Sequence, residues 1–134
     1  MRGVVTLRFR TYAQRVLVLV SVACVGCGIW GNNVVKVRVI FAAPGSDRQL
    51  TNLSVIAGSD KYSWPSLAAG SDRNINLVPG PDDDRQLSFI YTFDGQQRSW
   101  DGPKFEAGIG YRLEITIDAK GSVTSRHCIL PCSL

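Results

Sequence analysis

Along residues 111–118, apolar side chains fall at every second position: Tyr111, Leu113, Ile115 and Ile117 alternate with Arg112, Glu114, Thr116 and Asp118. A period of two places one set on each face of an extended strand, whereas a helix would scatter both sets around its surface. The same alternation recurs at Val35, Val37, Val39 and Phe41, and at Leu87, Phe89, Tyr91 and Phe93. Shorter runs lie at 50–57, 74–78, 97–100 and 122–128. Turn chemistry separates them, with Pro44-Gly45, Gly58-Ser59-Asp60, Pro79-Gly80-Pro81, Asp94-Gly95 and Lys120-Gly121. No window carries a long helical period. The pattern predicts an all-β fold over residues 34–134, a single β-sandwich of about seven short strands with immunoglobulin-like or related topology. The stretch 61–70 reads as a loop or a short edge strand, because Pro65 cannot donate to a ladder. Asp101-Gly102-Pro103 reads as a turn.

The net charge of +4 belongs to one end of the chain. Arg2, Arg8, Arg10 and Arg15 precede every acidic residue, the first of which is Asp47. Without those four, eleven basic residues face eleven acidic ones, so the body is formally neutral. That distribution removes the main argument for a nucleic-acid partner. The basic start, the apolar run 16–23 and the small residues after it have the layout of a secretory signal. The apolar run is short of the roughly 20 residues that span a bilayer. A longer uncharged window over 16–35 is diluted by glycine and asparagine, and an uncleaved signal anchor is the alternative to cleavage. Both readings export the body, because the arginines stay on the cytoplasmic side.

At Val25-Gly26-Cys27-Gly28 the segment resembles the lipobox of bacterial lipoproteins. The resemblance implies a signal peptide over 1–26, a lipidated Cys27 at the mature N-terminus, a short linker over 27–33, and anchoring by lipid. Cys24 is the alternative lipidated residue, and it stands where the family usually has an aliphatic side chain. With Cys27 modified, Cys24 leaves with the leader, and Cys128 and Cys132 remain as an even pair. With Cys24 modified, an odd thiol is left in an oxidising compartment. Gly28 is not the aspartate that retains such proteins at the inner membrane, so the resemblance implies the outer membrane, facing the periplasm.

Cys128 and Cys132 enclose three residues, a spacing that permits a tight local disulfide when the segment is turned. The expected gain is about 1–2 kcal/mol, because the closed loop is short. His127 is the sole histidine and reads as a surface or packing residue; nothing marks the partners that zinc or a nucleophile would need. Asp82-Asp83-Asp84 lacks the spaced oxygen ligands of a calcium loop and reads as a solvated turn. The aromatics Tyr62, Trp64, Trp100 and Phe105 are the candidate binding residues, because both tryptophans lie in Pro/Gly-rich connections. The competing role for them is to plug the ends of the core. No catalytic motif, metal site or cofactor is indicated. The expected function is a non-enzymatic, membrane-anchored protein-binding module of the cell envelope: an assembly subunit, an inhibitor or an immunity-type protein. A carbohydrate- or peptidoglycan-binding accessory domain is the alternative, requiring both tryptophans on one exposed face. A small hydrolase would require His127 in a cleft.

Overall fold

A computed structural model describes residues 34–80 and 86–134. The expected lipidation sites Cys27 and Cys24, Trp30, and the Asp82–Asp84 run lie outside the described residues. Eight strands run in chain order: β1 (Val35–Ala42), β2 (Gln49–Ala57), β3 (Asp60–Ala68), β4 (Asp72–Leu77), β5 (Gln86–Phe93), β6 (Gln96–Lys104), β7 (Tyr111–Asp118) and β8 (Val123–Ile129). They form two four-stranded sheets, ordered β4-β1-β7-β8 and β3-β2-β5-β6. The β-sandwich expected from the alternation is what the chain forms, and no helix occurs among the described residues. The strand order belongs to the related topologies. In immunoglobulin constant domains the first two strands pair in one sheet; here β1 lies between β4 and β7, and its pairing with β7 is parallel.

The alternating residues meet between the sheets. Val37, Val39, Phe41, Leu113, Ile115 and Ile117 from one sheet are at most 1% exposed, as are Leu53, Val55, Leu87 and Phe89 from the other. Phe41 and Phe93 meet edge to face across the interface, with centroids 6.3 Å apart. Such burial of apolar area is the dominant stabilising contribution in a domain of this size.

Of the two readings of 61–70 the edge strand is the one that forms, the turn expected at 101–103 is instead part of a strand, and both strands are edges of the same sheet. β3 spans nine residues through Pro65, and β6 runs through Pro103 to Lys104. On β2, Asn52 and Leu53 together oppose Tyr91 alone, and Asn52 adopts φ 51°. This bulge falls where Asn52 and Pro65 drop out of the β2–β3 register. A second irregularity, between Gln86 and Ser88 on β5, falls beside Gly102 and Pro103. A proline at an edge bulge removes no ladder hydrogen bond, so neither strand is broken. The Asp94-Gly95 hairpin forms as expected, with φ of 48° and 76° at the two turn residues, as a type I′ turn requires.

The β7–β8 turn closes one end of the sandwich. Asp118 Oδ1 accepts from the backbone N–H groups of Lys120 and Ser122, each at 2.8 Å. The Gly121 carbonyl accepts from Tyr91 Oη at 2.8 Å and Arg98 Nη1 at 3.0 Å, and Arg48 Nη1 reaches the Ala119 carbonyl at 3.0 Å. Both guanidiniums also lie over the Phe93 ring, at 4.9 Å for Arg98 and 5.5 Å for Arg48. The backbone donors Ser122 and Lys120 hold the Asp118 carboxyl below its ordinary pKa. A depressed carboxylate stabilises the fold above its unfolded pKa, and that contribution is lost as pH falls through the folded value. Wild-type stability is therefore expected to decline below about pH 4 more steeply than that of Asp118→Asn. Urea midpoints at pH 7 and pH 3 check this; parallel pH profiles would refute the turn's role.

Candidate functional site

The four candidate aromatics do not form a binding face. Trp64 and Phe105 are buried, at 6% and 3% exposure. Tyr62 is the exposed member at 39%, its ring tilted against Trp64 with centroids 5.8 Å apart. Trp100 is half-buried and packs against the core. Register explains the inward direction: Trp64 lies opposite Leu53, and Trp100 opposite Phe89, both core residues. Tyr62 and Trp64 sit on β3 while Trp100 sits on β6, at opposite edges of one sheet. Phe105 packs on Tyr111 at 4.6 Å and meets His127 edge to face at 6.3 Å. Trp64 and Phe105 therefore plug the margins of the core, and the expectation of a shared aromatic site is corrected on that ground.

His127 is exposed on β8. Among the described residues, no group of three or more His, Cys, Asp or Glu side chains converges to hold a metal. Cys128 and Cys132 are joined as a disulfide with a Cα separation of 6.3 Å, within the usual span for such a bond.

A charged surface that sequence reading did not single out lies on the outer face of the β4-β1-β7-β8 sheet. The outward residues of β1 and β7 share a register because the two strands run parallel: Lys36 opposes Arg112, and Arg38 opposes Glu114. Antiparallel pairing extends each row, to Asn76 and Asn74 on β4 and to Cys128 and Arg126 on β8. One row is neutralised. Arg38 Nε donates to Asp72 at 2.9 Å and its Nη1 lies 3.7 Å from Glu114; Arg126 approaches the same carboxylate at 2.8 Å. Glu114 is only 8% exposed, and its two guanidinium neighbours supply the compensation a buried carboxylate needs. The hydrogen bond and charge of Asp72, with a smaller contribution from Glu114, hold Arg38 above its ordinary pKa, so it stays cationic.

The neighbouring row is not neutralised. Lys36 and Arg112 sit directly opposite one another on adjacent strands, and neither makes an ion pair or side-chain hydrogen bond with any described residue. Like charges placed opposite in a sheet repel and destabilise the pairing. Lys36 and Arg112 line an open groove of about 380 Å³ together with Arg38 and Glu114 of the neutralised row, Asn74 and Asn76 of β4, and Leu134. The disulfide ties the tail to Cys128, in the same row as Arg112. Three cationic side chains and one carboxylate side chain line the groove, together with Leu134.

No protein-family model matches the sequence, and no curated protein matches it. Among solved structures, the chain is similar to a protein from Eubacterium rectale determined by NMR, at 15% identity and a TM-score of 0.47, over 78% of this chain and 96% of that one. It is also similar to a candidate cell adhesion protein from Bacteroides ovatus, at 15% identity and a TM-score of 0.41, over 72% of this chain and 44% of that one. The described residues form a small β-sandwich domain with a charged groove on the outer face of the β4-β1-β7-β8 sheet.

Proposed function

We propose that this chain is a lipid-anchored module of the cell envelope that binds a protein partner in the periplasm and catalyses no reaction. The observation that carries this reading is the Lys36–Arg112 pair, whose side chains make no ion pair with any described residue, beside a compensated row on the same sheet. Repulsion retained on a surface is relieved when an anionic group of a partner docks there. A groove lined by charges and amides suits a polypeptide better than a small apolar ligand, whose pockets are mostly hydrophobic. Export and anchoring rest on the leader, with Cys27 as the acylated residue and Cys24 as the alternative. A lipid tether would raise the effective concentration of the domain toward neighbours at the outer membrane. Within this class, an envelope assembly subunit, an inhibitor and an immunity-type protein share the same requirement for a docking face.

Two measurements test the proposal. Mass spectrometry of the mature N-terminus is expected to find a diacylated Cys27; a free terminus beyond residue 28 would refute anchoring. Crosslinking in intact cells, followed by affinity purification, is expected to recover a discrete partner that is lost from K36E/R112E. Recovery unchanged by that double substitution would refute the groove as the docking face.

A further inference from the structure

Resting on the protein-binding reading, we infer that the groove over Lys36 and Arg112 takes an acidic segment of the partner, with carboxylates seated between the two cations. Charge complementarity is the first argument. The row Asn76–Lys36–Arg112–Cys128 contains two cations and no carboxylate, while the adjacent row Asn74–Arg38–Glu114–Arg126 holds its own. An anion arriving at the first row meets uncommitted donors. At the second row, Glu114 is already engaged by two guanidiniums and would repel it. The site therefore selects both the sign and the position of the incoming group.

The donor set is the second argument. Arg112 is half-buried among the outward side chains of its sheet, which limits its hydration and strengthens a charge-assisted hydrogen bond. Lys36 is exposed and supplies a mobile ammonium beside it. Asn74 and Asn76 of β4 line the same groove; Asn74 Nδ2 already donates to Asp72 at 3.4 Å, which leaves its second N–H and the Asn76 amide for the remaining carboxylate oxygens. Shape is the third argument. The two cations stand in an open groove of about 380 Å³, which leaves room for an extended acidic side chain.

The test uses the full processed protein in a non-ionic detergent and a heptapeptide, Gly-Glu-Glu-Gly-Glu-Glu-Gly, carrying a neutral dye. Fluorescence anisotropy is expected to show saturable binding, and its glutamine counterpart none. Affinity is expected to fall about tenfold in K36Q/R112Q, and to weaken as salt rises from about 50 to about 500 mM. The pair K61Q/K120Q removes the same charge elsewhere and is expected to bind as the wild type does. The melting midpoint of K36Q is expected to equal or exceed that of the wild type, because the like-charge contact is relieved. Equal losses in both double variants would overturn the inference, since net charge alone would then explain binding. Binding of phosphatidylglycerol vesicles that depends on Lys36 and Arg112, without binding of the acidic peptide, would overturn it in favour of a membrane surface. A partner recovered from cells independently of these residues would refute the groove but leave protein binding standing. Peptide binding with no partner recovered would support the acidic-segment chemistry and count against the wider reading.

Discussion

Gly121→Ala is expected to lower the stability of the sandwich by about 3–4 kcal/mol, combining left-handed backbone strain with overpacking. Gly121 has φ +76°, and a Cβ there would lie 2.6 Å from Phe93 Cδ1 and 2.7 Å from Arg98 Nη1. The Phe93 ring does not give way cheaply, and the Arg98 guanidinium moves only by giving up its hydrogen bonds. Phe93 is 3% exposed in the core, and Arg98 is held by its hydrogen bonds to the Lys120 and Gly121 carbonyls. Gly45→Ala is the matched control, because its φ is +73° with no atom within 4 Å of the added carbon. That variant is expected to lose only the backbone component, about 1–2 kcal/mol. Urea midpoints of the two variants separate the components. Equal losses would show that the Phe93–Arg98 cluster yields freely, contrary to its packing.

Trp64→Ala is expected to cost a similar amount, about 3–5 kcal/mol, because it empties a buried aromatic position. The indole of Trp64 is 6% exposed, and its Nε1 has no hydrogen-bond partner among the described residues. Trp64→Phe keeps most of the ring and discards that N–H, so its loss is expected to stay below about 1.5 kcal/mol. Partner capture by Trp64→Phe is expected to match the wild type, since the docking face lies on the other sheet. Chemical denaturation and the crosslinking assay check the two halves of this prediction. A Trp64→Phe protein that is stable but fails to capture the partner would return the aromatic edge to the binding site.

The contrast between these aromatics and the charged groove shows what a sequence can and cannot reveal here. Trp64-Pro65 and Trp100 were legible as unusual residues, but their neighbours suggested loops. Their inward direction follows from pairing with Leu53 and Phe89. Lys36 and Arg112 were legible only as the polar halves of two alternating strands. Nothing local signals that two such strands lie side by side, parallel and in a register that sets ammonium against guanidinium.

The sequence by itself determined the seven clearest strands, the buried faces of β1, β5 and β7, the tight Asp94-Gly95 hairpin and the suitability of Cys128 and Cys132 for a bond. These are local properties: side-chain alternation, turn dihedrals and short loop closure depend on residues within a few positions of one another. The tertiary structure alone decided that β3 and β6 continue through Pro65 and Pro103, because only an edge position leaves a missing N–H harmless. It also decided that β1 joins β7, which places Glu114 between two arginines and leaves Lys36 facing Arg112. Strand order and register are set by how the two apolar faces fit together, and that fit is a property of the whole core.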